Sequence, residues 1–578
     1  MTSTSIDTAR ARPAAGTLAR VRTTRLQAIG EPNLWALGGA LAFGCVMVVG
    51  FLLLVLWNGV TTFWPRPVVV VTTTDGARLA GEPFRSEVYR PGPEVLATLD
   101  EATRRRIAAA GGLAGRDLYR TGNFDVYSED FRWVSDYAVA STAMPSGLMF
   151  VERLEWGPFI GTIRGVTVDG RAMPELKDDP RALAAAHDVA RARWRQIRHI
   201  ERDLIGDVNH ELEAERLNVR RVALRYGDGT PEHVAALARF AERETALQAD
   251  YARLAADAQG LKETDGHTQI TLAEIGGAEK TINLSAVVRM YPANDLGVAQ
   301  KLGVYLSRWG EFVSDEPREA NTEGGVLPAI FGTFVMTLLL VVVVAPFGVV
   351  TALYLREYAR QGRLVSIVRI SVNNLAGVPS IVYGVFGLGF FAYVLGGGID
   401  SLFFPERLPN PTFGTGGILW AALTLALLTV PVVIVATEEA LAAVPRSMRE
   451  GSLACGASKW QTIRRIVLPR AMPGIMTGVI LAMARGAGEV APLMLVGVVK
   501  LAPDLPLDGY FPYFHLERSF MHLGFHIFDV GFQSRNSEAG KPMVFVTTLL
   551  LIGLVFAMNI SAVVIRNRLK RKFAGSQF

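Results

Sequence analysis

Long apolar blocks alternate with polar stretches along the chain. The blocks are residues 34–60, 326–353, 376–395, 416–437, 473–499 and 544–565. Each holds the roughly twenty residues that a helix needs to cross ~30 Å of hydrocarbon, so six spans are expected. Residues 326–353 contain no Asp, Glu, Lys or Arg, and a soluble core helix rarely runs so far without one. Residues 376–395 are glycine-rich and contain Pro379, and of the six this block best fits the alternative of a buried soluble helix.

Between the first and second blocks the pattern becomes that of a soluble domain. Short β-type runs near 67–73, 148–154 and 166–168 predict strands, and 270–275 with 281–288 flank Gly276-Gly277 as a hairpin. Asp179 before Pro180 predicts an N-cap with proline in the first turn. Trp194, Ile197, Ile200, Leu204, Val208 and Leu212 then form one helical stripe. The stretch YGDGTPEH (226–233) breaks the helix and Thr230-Pro231 restart it. Leu247, Tyr251, Leu254 and Ala258 follow on the second helix. Two helices joined by a tight turn pair as an antiparallel hairpin; packing of each stripe on the β part suits the pattern equally. A short amphipathic helix is expected from Asn294 to Trp309. The polar residues 314–325 read as a linker and a domain boundary.

Charge adds orientation. The 59 Lys and Arg residues outnumber the 54 Asp and Glu residues, and they gather in particular short segments. Arg10, Arg12, Arg20, Arg22 and Arg25 precede the first block. Arg356, Arg360 and Arg363 follow the second, and Arg566, Arg568, Lys570, Arg571 and Lys572 close the chain. The loop 396–415 has only Arg407, and 501–540 has only Arg518 and Arg535. The positive-inside bias places both termini in the cytoplasm and 61–325 outside, in the periplasm of a Gram-negative inner membrane. The basic excess belongs to these flanks, so no nucleic-acid partner is expected. The first block is too long for a signal h-region and lacks a small-x-small cleavage site, so a retained anchor is expected. Cys45 lies in the first block and Cys455 between the fourth and fifth. Residues 61–325 have no cysteine and therefore no disulfide framework.

Catalytic signatures are missing. The chain has no G-x-x-x-x-G-K-[ST] loop, H-E-x-x-H, G-x-S-x-G or C-x-x-C. No enzyme activity and no cofactor are expected. His515, His522 and His526, with Glu517 and Asp529 nearby, offer weak candidates for a zinc site; local hydrogen bonding in an aromatic-rich loop is the alternative. Charge inside the fifth block is more informative. Arg485 lies ~18 Å along the axis from Pro473, near the middle of the span. Glu489 follows at i, i+4 on the same side. Such a pair either locks two helices together or lines a solute path and offers positive charge to an anion. In the third block, Asn373, Asn374, Ser380 and Tyr383 either line that path or satisfy the backbone freed by Pro379.

The polar stretch EGSLACGASKWQTIRRIVLP (450–469) separates the fourth and fifth blocks and is cytoplasmic by the same charge rule. Residues 449–455 and 458–466 predict two short helices hinged at Gly456, the second ending before Pro469. A rigid polar helix pair held at both ends suits docking. The stretch resembles the EAA loop of ABC-importer permeases, with Glu450, Gly456, then nine residues before Ile466 to Pro469; Gly451 and Ser452 stand where that family usually has two alanines. The flanks NNLAGVPSIVYGVFGLGFF (373–391), EEALAAVPRSMREG (438–451) and ARGAGEVAPLMLVG (484–497) resemble phosphate-specific permeases of the PstA type. That resemblance covers about 326–565.

The resemblance implies an all-α polytopic membrane domain of the type I ABC importer permease fold, with an inserted α+β extracytoplasmic domain. The expected divisions are a tail (1–33), an anchor helix (34–60), the periplasmic domain (61–325, hairpin about 180–260), the permease domain (326–565, coupling loop 438–470) and a basic tail (566–578). The implied partners are a second, PstC-type permease, a PstB-type ATPase dimer and a PstS-type periplasmic phosphate-binding protein. Glu450, Gly456, Lys459, Arg464, Arg465, Ile466 and Pro469 would couple to the ATPase. In this family intramembrane Arg and Glu are implicated in transport, which favours the path reading of Arg485 and Glu489. The expected function is one half of an ATP-driven phosphate importer. The alternatives are a permease for another oxyanion or small solute, and a non-transporting membrane sensor or scaffold.

Overall fold

The computed structural model describes residues 32–502, 504–534 and 537–574. Arg10, Arg12, Arg20, Arg22, Arg25 and Arg535 fall outside the described residues. The chain divides into two units, Met1–Val55 and Leu56–Phe578. The described part of the first is one uncharged helix, which starts at Pro32 and runs on to Thr61.

The second unit opens with two antiparallel sheets. Strands β1 (Val69–Thr73), β2 (Arg78–Tyr89), β3 (Ala114–Arg120), β4 (Phe131–Ser135) and β5 (Val139–Ala143) form the first, in the order β4-β3-β2-β1-β5. The second contains β6 (Met149–Arg153), β7 (Phe159–Val168), β8 (Arg171–Ala172), β9 (Gln269–Ala273), β10 (Glu279–Asn283) and β11 (Val287–Pro292). Its order is β10-β9-β7-β6-β11, with β8 on β7. Successive strand residues face opposite ways, and both faces of β6 are buried. Phe150 joins Ile160 and Tyr291 in one cluster. Val151 joins Phe159, Ile270 and Leu272 in another. The expected strand 281–288 is split. Leu284 is fully buried in a 3-10 turn, Leu284–Ala286, and the chain after it leaves β9 to pair with β6.

The Asp179 side chain accepts from the Arg181 and Ala182 N–H groups at the start of helix Pro180–Arg198. A π turn, His199–Leu204, carries it into Ile205–Tyr226. Gly227 has φ +94°, the Thr230 hydroxyl accepts from the His233 N–H, and Pro231–Gly266 returns. The ion pairs Glu211–Arg243 and Glu201–Lys262 step in opposite directions along the two helices, so the hairpin is antiparallel. Both packing modes occur in one element: Leu183 and Ala190 sit in the sheet core, while the distal helices pair with each other. The expected helix from Asn294 to Trp309 is displaced to Val298–Ser314.

Residues 314–325 are a packed junction rather than a free linker. Asn321 is 1% exposed and donates to the Lys500 carbonyl (3.1 Å) and to Asp529 Oδ2 (3.0 Å). The hairpin also lies against two loops of the membrane part. Arg221 pairs with the buried Glu406 (2.7 Å), and His210 stacks on Tyr510 at 3.8 Å between centroids.

Among the described residues six helices are long and apolar enough to cross a membrane: Trp35–Thr61, Leu327–Tyr358, Ser380–Phe403, Ile418–Ala442, Lys459–Gly488 and Ser537–Arg571. Their central core sets Met336, Leu340 and Val344 against Leu425, Leu428, Ile475 and Val479. Small residues permit this closeness, as is general between membrane helices. A Cβ on Gly474 or Gly478 would meet Ala440 or Ala436 at 2.5 Å, and one on Gly486 would meet Leu340 at 2.2 Å.

Candidate functional site

Three expectations about the membrane part are corrected here. The expected span 473–499 stops as a helix at Gly488; Glu489 is extended (φ −80°, ψ 135°) and Pro492 follows. Glycines and a proline end helices. Arg485 is therefore three residues from the end of a helix that begins at Lys459, and not at its middle. Asn373 and Asn374 belong to a separate amphipathic helix, Arg363–Leu375, and are exposed there; Pro379 turns the chain before the third span begins at Ser380. The helix after Gly456 does not end before Pro469. It runs from Lys459 to Gly488 through a π turn at Ile463–Val467. Proline lacks an N–H, and the turn lets the helix continue without that bond.

The Arg485 and Glu489 side chains still meet, Nε to Oε1 at 3.6 Å, and are 36% and 21% exposed. The packing stripe Gly474, Gly478, Ala482 and Gly486 fixes their helix against two neighbours, which leaves the adjacent Arg485 partly open. Tyr383 is buried, donates to the Leu375 carbonyl (2.7 Å) and lies within electrostatic reach of Arg485. Its neighbour Gly384 packs on Pro492, where a Cβ would approach to 2.7 Å. Ser380 is half-buried at the start of the same short helix. Arg485 and Glu489 thus form one partly open polar pair, with Tyr383 within electrostatic reach.

The polar segment forms a helix, Arg446–Ala454, a tight turn, and the helix beginning at Lys459. Gly456 has φ +84°, a conformation costing roughly 1–2 kcal/mol with a side chain, and Ala457 N–H closes the turn onto the Ser452 carbonyl at 3.2 Å. Ser458 and Gln461 form a capping box, and the Ser452 and Thr462 hydroxyls join the two helices at 2.9 Å. Glu450, Leu453, Lys459, Trp460, Arg464 and Arg465 are exposed, whereas Ile466 and Pro469 are half-buried.

Arg449, which no sequence motif singles out, anchors this knob. It donates to the Val444 and Leu441 carbonyls (both 2.7 Å) and to Glu357 Oε1 (3.1 Å). It thereby ties the segment to the last turn of Ile418–Ala442 and to the π turn ending the second span. Lys459 lies over the Tyr358 ring at 4.9 Å, and Arg369 pairs with Glu438 at 3.1 Å. No local motif announces such contacts; only the position of Arg449 beside a helix end hints at them.

The histidines do not form a metal centre. Among the described residues no group of three His, Cys, Asp or Glu side chains could hold a metal ion. His515 is used up between Asp508 (2.8 Å) and Glu517 (3.0 Å). His522 caps helix Leu523–Phe528 by accepting from Gly524 N–H, and His526 lies beside Thr547. Burial pushes both His522 and His526 down to about 4; for His526, Asp529 opposes the shift and Lys500 adds to it. Unfolded histidine titrates near ~6.5. Between these values the unfolded chain binds more protons, so stability rises with pH from about 4 to about 6.5 and is flat above. Thermal unfolding of the purified chain should show a melting temperature that falls as the pH is lowered from about 6.5 to about 4, and falls less in a His526→Asn chain.

Comparison with known proteins adds the following. The family described as "Binding-protein-dependent transport system inner membrane component" matches residues 344–571. "Phosphate transport system permease protein PstA 1" of Mycobacterium tuberculosis is 37% identical over 244 residues, 42% of this chain and 71% of that protein. "Probable ABC transporter permease protein YqgH" of Bacillus subtilis is 35% identical over 195 residues, 33% of this chain; the chain spans 59% of that relative's length. Among solved structures, an inward-facing form of the MetNI methionine ABC transporter has a TM-score of 0.30 at 20% identity, over 42% of this chain and 94% of that one.

Proposed function

We propose that this chain, which belongs to the binding-protein-dependent transport inner membrane component family and is of the PstA type, is half of the membrane path of an inorganic phosphate importer. It is an ABC importer permease subunit embedded in the membrane, a transport component rather than an enzyme. In this reading an ATPase dimer grips the exposed face around Leu453, Trp460 and Lys459. A second permease completes the path and a phosphate-binding protein delivers the anion outside. The termini and the 446–467 knob are cytoplasmic, and the 61–325 domain is periplasmic.

The observation that carries the reading is the anchoring of Arg449. A docking surface that merely held a partner would not need its base bonded to the inner ends of two spans. ATPase closure pushes the knob, the knob moves the second and fourth spans together, and the path reopens to the outside. Arg485 gives a passing phosphate a favourable charge, and Glu489 keeps that arginine from holding it too long.

Reconstitution with its ATPase, second permease and binding protein tests the proposal. ATP-dependent accumulation of labelled phosphate, not diluted by excess sulfate, is the expected result. Equal accumulation of sulfate overturns the substrate, and no ATP-dependent accumulation of any oxyanion overturns the transport role.

A further inference from the structure

A half-open cavity of about 140 Å³ lies where the sheets meet the membrane helices. Its walls include Trp64 and Arg66 beyond the first helix, Glu82 and Arg120 of the sheet, Arg308, and Met543 of the last span. Most of its charge is already matched. Arg308 Nε donates to Glu152 (2.8 Å) and its Nη2 to the Tyr291 hydroxyl (2.7 Å). Arg318 pairs with Glu311, and Arg120 Nη2 with Glu323.

Three groups facing this space are not so matched. Glu82 is 8% exposed, and its carboxyl has no hydrogen-bond partner among the described residues. Arg120 Nε is buried without a partner. Among the described residues Arg66 makes a single hydrogen bond, 3.3 Å to the Pro83 carbonyl, and no ion pair. A buried donor left unpaired costs about 1–3 kcal/mol, which is the usual mark of a missing ligand or water.

Burial raises the Glu82 carboxyl above its ordinary range, against the pull of Arg120, Arg308 and Arg66, and Glu152 adds to the rise. Arg66, Arg120, Arg308 and Arg318 share the wall with Glu82, Glu152, Glu311 and Glu323. Behind this wall Arg289 joins Glu152 and Glu311, Asp130 lies near Arg120, and Glu319 lies near Glu323. The wall keeps open donors on Arg66 and on Arg120 Nε.

We infer that this cavity binds a tetrahedral oxyanion of the phosphoryl class, held by Arg66 and Arg120 Nε. Arginine forks suit such oxygens. The anion is either dissolved phosphate or the phosphate of a lipid headgroup. Trp64, placed where the first helix ends, is the residue type that marks a membrane–water interface.

The test uses the purified full-length chain without ATPase or binding protein, so its outcome does not depend on whether the chain imports phosphate. Equilibrium dialysis with labelled inorganic phosphate is run beside native mass spectrometry for phosphatidylglycerol retained from nanodiscs. Arg66→Gln loses one hydrogen bond and the cation–π contact with Phe84 at 5.7 Å and should fold, which the melting temperature checks. Loss of phosphate binding by about tenfold or more in Arg66→Gln, with a change at the exposed and distant Arg171, Arg171→Gln, leaving binding intact, supports the site with a dissolved anion. Failure of inorganic phosphate to bind, with phosphatidylglycerol retained by the wild type and lost from Arg66→Gln, supports the site with a headgroup. Neither ligand bound, or equal binding in Arg66→Gln, overturns it.

Discussion

On the proposed phosphate path, replacing Arg485 by alanine should lower uptake about 30-fold or more while the complex still assembles. A unit charge ~4 Å from an anion is worth ~4 kcal/mol at an effective dielectric of about 20. Arg485 is 36% exposed, so screening reduces that figure. A remainder of ~2 kcal/mol in the barrier corresponds to about 30-fold in rate. Arg485→Lys keeps the charge on a different stem and should lose less than Arg485→Ala. Initial uptake rates in reconstituted vesicles, normalised to assembled complex, read the effect. An Arg485→Ala chain that assembles and imports at the full rate removes the arginine from the path and leaves the 3.6 Å pair with Glu489 as a structural tie.

The second large effect concerns coupling. Arg449→Ala removes three hydrogen bonds and leaves the Leu441 and Val444 carbonyls and Glu357 without their guanidinium. Such losses cost roughly 1–3 kcal/mol for each group stranded away from water, enough to free the knob from the spans. The docking face itself, with Leu453 and Trp460 about half exposed, is untouched. ATP hydrolysis should therefore persist while uptake falls by about tenfold or more. Arg449→Lys reaches only some of the three acceptors and should fall between. Parallel loss of hydrolysis and uptake would mean that Arg449 maintains docking or folding rather than transmission.

Periodicity made the spans legible because an apolar block of the right length has few other uses. It also located the helical hairpin, since Asp179, Pro180, Thr230 and Pro231 are strong local signals with no tertiary competitor. It misjudged ends where tertiary packing decides. The fifth span stops at Gly488 because the chain turns back through Pro492 onto Gly384, a contact 108 residues away in sequence. The helix after Gly456 passes Pro469 because a π turn absorbs the missing bond. Residues 314–325 looked like a linker because they are polar, yet Asn321 is buried by partners from distant loops. The candidate site divided in the same way. Arg485, Glu489 and the Gly456 turn could be read from spacing. The Arg449 anchor and the arginine-walled cavity could not, since their partners come from elements far apart in the sequence.

The docking role of the 446–467 knob is most directly tested through Cys455, which is exposed in the turn; the only other cysteine is Cys45. In a Cys45→Ser chain, a membrane-impermeant maleimide should label Cys455 in inside-out vesicles and not in intact spheroplasts. Addition of the ATPase subunit should protect it. Labelling from the outer face, or labelling from the inner face that the ATPase leaves unchanged, would contradict the account.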